Sequence, residues 1–305
     1  MTTLVTGSTG FLGQYLMSHL KSLNPNENIY GCALNAPENS DCRTYIIDLT
    51  DQLKVFDLIR KLKPQRVFHL AGIAKVSNEI TFESYFSQNT LSTQYLLEAL
   101  VSLDCPVEFF LASSVHVYGN QSYSVNELAE TKPESSYGFS KYLAEETLKS
   151  FSLQNPKLKT LVGRLYSCVG PKQPLGFVTS DICKKIKDLK KTGAKNLEVG
   201  PIDSIRRFTD VRDVVKILPI LMNLELTSRF EIFNIAQPKE ILVGEMIQTL
   251  LDLEGINAQI LSRPSADNSF KGLKVDTSKM GRHIPPSFFR PLESTLQDIL
   301  DSTPC

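Results

Sequence analysis

The sequence has no excess of charge of either sign. Among its 305 residues, Lys plus Arg and Asp plus Glu both number 33, so the formal net charge is zero. A chain without a basic surplus lacks the electrostatic footprint that binds nucleic acid or an anionic membrane. It also lacks an apolar run of about 18 residues, and its amino terminus has neither the basic segment nor the apolar core of a signal peptide. We therefore expect a soluble, cytoplasmic protein whose partner is a small molecule.

Closely spaced cysteines are missing as well. The six cysteines lie apart in the sequence: Cys32, Cys42, Cys105, Cys168, Cys183 and Cys305. Without paired spacing they predict neither a zinc site nor a compact disulfide framework, which favours reduced thiols and no metal. Hydrophobic residues make up 42% of the chain and charged residues 22%, as in globular proteins with a sizeable core.

Short apolar runs alternate with helical patterns through the first two-thirds of the chain. The predicted strands are Leu4–Thr6, Ile29–Ala33, Thr44–Ile47, Arg66–Leu70, Val107–Ala112 and Leu158–Arg164. The predicted helices are Gly10–Leu23, Gln52–Lys63, Ser92–Leu103 and Ser140–Ser150. This alternation predicts an α/β fold with a doubly wound parallel sheet of the Rossmann type.

The pattern changes after Arg164. The Gly170–Pro174 stretch interrupts regular secondary structure. After it, the sequence predicts a helix over Phe177–Lys190 and a strand over Phe230–Ile235 that returns to the main sheet. We expect a dinucleotide-binding domain over residues 1–165, to which 205–236 returns. Residues 166–204 and 237–305 would form a smaller, interleaved substrate-binding lobe.

A glycine-rich segment, Gly7-Ser8-Thr9-Gly10-Phe11-Leu12-Gly13, lies between the first strand and the first helix. Glycines there allow a tight turn and a close approach of the backbone to a pyrophosphate, and the helix N-terminus favours negative charge. The segment predicts a dinucleotide cofactor. The second strand ends in Cys32-Ala33-Leu34-Asn35, with neither an acid for a ribose hydroxyl nor an arginine for a 2′-phosphate, so NAD and NADP both stay open. Arg43 is the nearest cation downstream, and Asp48 follows the third strand as a contact for the adenine or as an exposed loop carboxylate.

Tyr137 and Lys141 are four residues apart in Ser136-Tyr137-Gly138-Phe139-Ser140-Lys141. On a helix this spacing places the phenol and the ammonium on one face. A nearby cation favours phenolate over phenol, so we expect Lys141 to lower the pKa of Tyr137 and to fit it for proton exchange at a sugar carbon. The alternative reading of this pair is a chance pairing on the helix surface.

These motifs together resemble the extended short-chain dehydrogenase/reductase family. The resemblance rests on the glycine-rich loop, on His69-Leu70-Ala71-Gly72, on Asn89, on Ser113 to Gly119 and on the Tyr137/Lys141 pair. It is strongest to the nucleotide-sugar epimerases, dehydratases and 4-reductases. The stretches 196–200 and 206–215 are similar to the GDP-mannose-derived branch, which includes GDP-6-deoxy-4-keto-mannose reductases.

The resemblance implies a catalytic triad of Ser114, Tyr137 and Lys141. Implied cofactor contacts are Gly7, Thr9, Gly10, Phe11, Leu12, Gly13, Asp48, Leu49, Leu70, Ala71, Tyr137 and Lys141. Implied substrate contacts are Ser114, His116, Ser167, Arg206 and Arg263, with the two arginines on phosphate. Relatives also pair two helices across a homodimer, and Leu96, Leu97 and Leu100 would then serve either that interface or the protein's own core.

Departures from the family pattern narrow the activity. The 4,6-dehydratases carry an acid directly after the position of Ser114, where this chain has Val115 and His116. Valine cannot transfer a proton, so dehydration is disfavoured. The expected function is an NAD(P)H-dependent 4-ketoreductase of a nucleotide-linked, GDP-type 6-deoxy-4-keto sugar, in deoxysugar biosynthesis. An NAD-dependent 4-epimerase with the same triad is the first alternative, and a non-catalytic dinucleotide-binding scaffold is the second.

Overall fold

The computed structural model describes residues 1–36, 43–226, 228–263 and 272–303. Cys42, Cys305 and Pro264, which follows Arg263, lie outside the described residues. The chain divides into two compact units. The first comprises Met1–Gly119, Ala129–Leu165 and Val215–Asn234, and the second comprises Asn120–Leu128, Tyr166–Val214 and Ile235–Cys305. The sequence-based division differs from these units at Asn120–Leu128, at residues 205–214 and at residues 235–236.

A seven-stranded sheet forms the centre of the first unit. Its strands are β1 (Thr2–Thr6), β2 (Asn28–Ala33), β3 (Arg43–Ile46), β4 (Arg66–His69), β5 (Val107–Ser114), β6 (Leu158–Leu165) and, at the edge beside β6, β11 (Phe230–Ile235). The order is β11-β6-β5-β4-β1-β2-β3, and the pairs from β3 to β6 are parallel. The predicted doubly wound α/β sheet is confirmed, with the strand order reversing beside β1.

Helices alternate with these strands because apolar residues recur at helical spacing between the strands. They are α1 (Phe11–Leu23), α2 (Gln52–Leu62), α3 (Phe82–Tyr85), α4 (Ser92–Val101) and α5 (Ser136–Gln154). A π-helical segment, Phe86–Leu91, joins α3 to α4, and a 3₁₀ turn, Val115–Tyr118, follows β5. The predicted Ser140–Ser150 helix therefore begins four residues earlier, where the Ser135 hydroxyl caps it by accepting from the Gly138 N–H at 3.0 Å.

Both faces of the sheet are buried. Apolar residues of α2, α4 and α5 pack with Leu4, Val67 and Phe109 in one core cluster. Their strand neighbours Val5, Phe68 and Phe110 point to the opposite face and are fully buried as well.

Leu96, Leu97 and Leu100 of α4 all belong to this core cluster. Of the two roles considered for them, packing within the first unit is the one that the structure shows. Their side chains are at most 1% exposed, so they contribute to this core and not to the surface of the chain.

The second unit has its own core. It contains β7 (Cys168–Val169), β8 (Asn196–Val199), β9 (Ile205–Arg206), β10 (Thr209–Asp210), β12 (Ile241–Leu242) and β13 (Gln259–Ser262), which form three two-stranded sheets. Its helices are α6 (Val178–Thr192), α8 (Val243–Glu254), α9 (Ser278–Gly281) and α10 (Leu292–Ser302), with a 3₁₀ turn at Pro286–Phe288. Apolar residues of α6, α8 and α10 pack together in one cluster. Helix α7 (Val211–Met222) connects the ranges of the two units.

Within the described ranges, no helix combines the length and the apolar character needed to cross a membrane.

Candidate active site

The glycine-rich loop has the geometry of an anion-binding turn. Gly7 has φ +67°, and a Cβ there would meet the Ala71 backbone nitrogen at 2.8 Å. A Cβ at Gly13 would overlap the Gly7 carbonyl oxygen, so glycine lets α1 pack against the loop. Gly10 is the N-cap of α1, no side chain caps that terminus, and its first turn contains no acidic residue. The N–H groups and the positive end of the helix dipole fit a dinucleotide pyrophosphate.

Several other predicted cofactor residues surround this loop. Ala71 lies against Gly7, and its N–H donates to the Thr6 hydroxyl at 3.3 Å. The backbone oxygen of Thr9 accepts from Gln14, and the Phe11 ring meets Tyr15 edge-on. Leu12, near the start of α1, and Leu70, directly after β4, are half-buried.

Asp48 and Arg43 were considered for the adenosine end of the cofactor. Asp48 is exposed, and its Oδ1 accepts from the Thr50 N–H and hydroxyl at 2.9 and 2.8 Å, so one carboxylate oxygen is already used in its own turn. Leu49 is a core residue. Arg43 aligns with Tyr30, before the carboxyl end of β2, and donates to the Tyr30 hydroxyl at 3.3 Å. Arg43 therefore lies away from the strand ends that carry the glycine-rich loop.

The structure brings Ser114 and Tyr137 together. Ser114 ends β5, where its hydroxyl accepts from the His116 N–H at 3.3 Å. Tyr137 lies in the first turn of α5, and the neighbouring Ser114 side chain acts on the pKa of its phenol as a hydrogen-bond partner. Lys141 follows one turn along the same helix, and both side chains are buried, Tyr137 at 7% and Lys141 at 6% exposure. The helical placement predicted from the spacing is thus what the structure has.

The pKa of Tyr137 differs from the expectation. Burial raises it, the Ser114 hydrogen bond opposes that rise, and the neighbouring Tyr85 adds to it. The predicted lowering by Lys141 is therefore wrong for this arrangement. The Lys141 ammonium instead donates to the Ala112 carbonyl oxygen at 2.9 Å, and burial lowers its own pKa to about 8 while Glu145 raises it.

Gly138 permits the close approach of α5 to the turn that follows Ser114. A Cβ at Gly138 would lie 2.6 Å from the His116 carbonyl oxygen and 3.1 Å from its carbonyl carbon. Real Cβ atoms do not approach backbone atoms so closely. A glycine directly after Tyr137 therefore sets the distance between the two catalytic segments.

Two aromatic side chains flank Tyr137. The His116 ring meets it edge-on with centroids 5.5 Å apart, and the Tyr85 ring lies at 5.9 Å. The Tyr85 hydroxyl donates to the Lys75 carbonyl oxygen at 2.7 Å and accepts from the Ser77 N–H at 3.0 Å. Tyr85 therefore contacts both the segment after β4 and the Tyr137 ring.

Asn89 lies in the π-helical segment and is buried. Its Oδ1 accepts from the Ile73 N–H at 2.8 Å, and its Nδ2 donates to the Ser140 hydroxyl at 2.9 Å. The Ser140 hydroxyl in turn donates to the Tyr137 carbonyl oxygen at 2.8 Å. These bonds connect the segment after β4 with the first turn of α5.

His69 has a structural role. Its Nδ1 and Nε2 are hydrogen-bonded to the hydroxyls of Thr6 and Thr93 at 2.7 and 3.0 Å. Burial, and secondarily the charge of Lys141, lower its pKa to about 3. His69 is therefore a neutral core histidine with both ring nitrogens hydrogen-bonded.

The other predicted substrate residues belong to the second unit. Ser167 is half-buried with φ +32°. Arg206 is half-buried; it donates to the Ile205 carbonyl oxygen at 2.9 Å and is hydrogen-bonded to the Tyr166 side chain. Arg263 is 76% exposed and forms a surface ion pair with Glu198 at 2.8 Å. Their contacts with substrate stay predictions.

Sequence reasoning missed Gly138, Tyr85 and the buried pair Glu145–Arg164. Glu145 continues the spacing of Tyr137 and Lys141 by four residues, so it lies on the same helix face. That spacing was a usable signal. The sequence does not indicate the partner of Glu145, because Arg164 lies on β6 and is brought near only by the fold.

Comparison with known proteins adds four findings. Residues 3–236 match the family described as the NAD dependent epimerase/dehydratase family. The GDP-6-deoxy-D-mannose reductase of Pseudomonas aeruginosa is 29% identical over 86% of this chain and 83% of its own. The UDP-glucose 4-epimerase of Mycoplasma pneumoniae is 25% identical over 98% of this chain and 95% of its own. The structure of RMD from Pseudomonas aeruginosa, complexed with NADPH, has a TM-score of 0.82 and 25% identity over 99% of both chains.

Proposed function

Because this chain belongs to the NAD dependent epimerase/dehydratase family, we propose that it is an NAD(P)H-dependent 4-ketoreductase of a nucleotide-linked 6-deoxy-4-keto sugar. The observation that carries the proposal is that Ser114, Tyr137 and Lys141 are all buried, with Ser114 near enough to lower the pKa of the Tyr137 phenol and Lys141 one helical turn after it. A phenol and a hydroxyl that converge in this way can both bond one carbonyl oxygen.

In this proposal, different residues of the first unit bind the cofactor, deliver the proton and orient the carbonyl oxygen. Gly7, Gly10, Gly13 and the N-terminus of α1 would hold the dinucleotide, whose nicotinamide supplies the hydride when bound. Tyr137 delivers its proton to the oxygen at C4 as that carbon is reduced, so the ketone becomes an alcohol. Ser114 donates a hydrogen bond to the same oxygen and keeps it in line with the phenol.

Lys141 supplies positive charge where negative charge develops on the phenol oxygen. A raised resting pKa suits a proton donor, because Tyr137 then stays protonated until the carbonyl oxygen becomes basic. Burial lowers the pKa of Lys141 to about 8, so we expect activity to decline as the pH rises past that value and the ammonium loses its charge.

The substrate we assign is a GDP-linked sugar of the mannose type. Support comes from the likeness to GDP-6-deoxy-D-mannose reductase, which extends over 86% of this chain. The absence of an acid after Ser114 argues against dehydration, since Val115 is buried and carries no proton. Arg206 and Arg263 are the proposed contacts of the diphosphate, because guanidinium groups can bind it bidentately. His116 and Ser167 are the proposed contacts of the sugar.

A 4-epimerase is the second candidate. The likeness to UDP-glucose 4-epimerase, which extends over 98% of this chain, favours it. An epimerase needs the same three side chains, but it oxidises and re-reduces the sugar in one cycle without net use of cofactor.

NAD and NADP are both compatible with the glycine-rich loop. We also propose that the protein is cytoplasmic and that it forms a homodimer. The exposed rings of Phe82 and Phe139, on α3 and α5, support the homodimer.

The decisive experiment compares the parent protein with Tyr137→Phe. A GDP-6-deoxy-4-keto sugar should cause stoichiometric loss of NAD(P)H absorbance in the parent. In the variant, turnover should fall by about 10²-fold or more, because a general acid is removed, while dinucleotide still raises the melting temperature.

Interconversion of two nucleotide sugars without net cofactor change would contradict the reductase function and support the epimerase function. Unchanged biological activity of a Tyr137→Phe protein that has lost its turnover would refute both and favour a non-catalytic dinucleotide-binding scaffold. Testing GDP, UDP, dTDP and CDP sugars in the same thermal assay assigns the nucleotide.

A further inference from the structure

A buried ion pair lies directly behind the triad. Arg164 of β6 and Glu145 of α5 are 4% and 2% exposed, and the Arg164 Nη2 and Glu145 Oε2 atoms are 2.7 Å apart. The Arg164 Nε also donates to both Glu145 oxygens, at 3.1 and 3.2 Å. The second Glu145 oxygen accepts from the Ser113 hydroxyl. Both carboxylate oxygens are therefore saturated.

This pair touches every segment that carries a catalytic residue. Ser113 precedes Ser114 and is aligned with Arg164 across the β5–β6 ladder. Glu145 follows Tyr137 and Lys141 along α5 at spacings of one helical turn, and it acts electrostatically on Lys141.

The Arg164 guanidinium extends the network to the turn after Ser114. It stacks on the Tyr118 ring at 4.6 Å, and the Tyr118 hydroxyl donates to Asn234 Oδ1 of β11 at 2.7 Å. The turn that places Ser114 is thereby anchored to the sheet.

Such a pair is poor evidence for stability alone. Taking both charges out of water costs several kcal/mol per ion, and well-packed apolar residues often replace such pairs without loss. Its position suggests a different benefit. We propose that Glu145 and Arg164 are positioning residues, which hold Ser114 and Lys141 in register with Tyr137 and keep the Lys141 ammonium charged.

The charge environment of Lys141 supports this role. Glu145 is the carboxylate that acts on it, and the Ala112 carbonyl oxygen accepts a hydrogen bond from the Lys141 ammonium. From β4 it is faced by His69, which is neutral, since its pKa is about 3. Tyr137 precedes Lys141 on α5, and Tyr137 is itself flanked by Tyr85 and His116. From β6, Arg164 neutralises Glu145 in part. Removing the Glu145 charge should therefore let Lys141 lose its proton at lower pH.

The inference rests on the proposed function, and the experiment separates the two. The pH profile of kcat/KM is measured for the parent, Glu145→Gln, Glu145→Asp and Arg164→Lys. In Glu145→Gln the alkaline limb should move down by about one pH unit, the size expected for loss of a nearby opposite charge. Glu145→Asp and Arg164→Lys keep both charges, so they should restore the limb.

Glu254→Gln is the matched control. Glu254 is a carboxylate of the second unit with 7% exposure, paired with Lys187 and Lys190 at 2.5 and 2.6 Å. It should lose stability without any shift of the pH profile. If Glu145→Gln does not fold, Glu145→Gln/Arg164→Met removes both charges together and should shift the limb in the same direction by less than about one pH unit, because Arg164 offsets part of the Glu145 charge.

An unshifted limb in a folded Glu145 variant overturns the inference, as does equal loss of activity in Glu145→Asp and Glu145→Gln. Neither result touches the proposed reaction, which fails only if Tyr137→Phe keeps its turnover.

Discussion

Gly138 offers a test in which two physical effects predict opposite signs. In the interior of a helix, Gly→Ala is stabilising by about 1 kcal/mol, because alanine restricts the unfolded chain and favours helix. In this structure the added methyl would lie 2.6 Å from the His116 carbonyl oxygen. That atom is backbone, so relief requires α5 and the Val115–Tyr118 turn to move apart. Overpacking of this kind costs about 1–3 kcal/mol, so we expect a net loss of up to about 2 kcal/mol.

A loss of that size leaves the protein folded, since domains are stable by about 5–15 kcal/mol. The effect on catalysis should be larger. Moving α5 carries Tyr137 away from Ser114, and a misplacement of about 1 Å can cost about 10²-fold in rate. For Gly138→Ala we therefore expect kcat/KM to fall by about 10²-fold, with the melting temperature lower by only a few degrees.

Gly281→Ala is the control for this experiment. Gly281 is also helical, and a Cβ there meets nothing within 4 Å. It should match the parent in activity, with a melting temperature equal to or slightly above the parent's, because only helix propensity acts there. If Gly138→Ala were as active and at least as stable as the parent, helix propensity would outweigh the contact, and the argument from close approach would be wrong.

Two further predictions concern the same unit. Gly13→Ala should weaken dinucleotide binding by at least about tenfold in a fluorescence titration, because its Cβ would overlap the Gly7 carbonyl oxygen and push α1 from the loop; unchanged affinity would place the cofactor elsewhere. His69 has a pKa lowered from 6.5 to about 3, so its contribution to stability is complete above pH 6.5 and declines as the pH falls toward 3, because only the unfolded chain takes up the proton. Denaturant unfolding should show this decline at up to about 1.4 kcal/mol per pH unit in the parent and a smaller slope in His69→Gln; equal slopes would contradict it.

Much of the first unit follows from its sequence. The apolar runs are short and flanked by helical patterns, and each predicted strand from Leu4 to Arg164 lies within a residue or two of an observed one. Buried parallel strands give this clear signal because both of their faces are covered. The Tyr137/Lys141 placement followed equally well, since side chains one turn apart share a helix face.

What the sequence did not predict depends on contacts between distant segments. The pKa of Tyr137 is set first by burial, which no spacing reports, so the inference from Lys141 alone had the wrong sign. The Glu145–Arg164 pair depends on the register of β5 and β6. Leu96, Leu97 and Leu100 have the apolar pattern of an interface and of a core alike, and only the packing of α4 against the sheet decided between them.

The π-helical segment Phe86–Leu91 amounts to one extra residue in the stretch that joins α3 to α4. An α-helix turns by about 100° per residue, so deleting one residue there would restore regular α-helix and rotate everything before the deletion relative to everything after it. Asn89 would then no longer face both Ile73 and Ser140, to which it is now bonded. Deleting one codon in this segment, far in sequence from Tyr137, would thus break the hydrogen bonds that join α5 to the segment after β4. The length and hydrophobicity of the α3–α4 helical stretch would be almost unchanged.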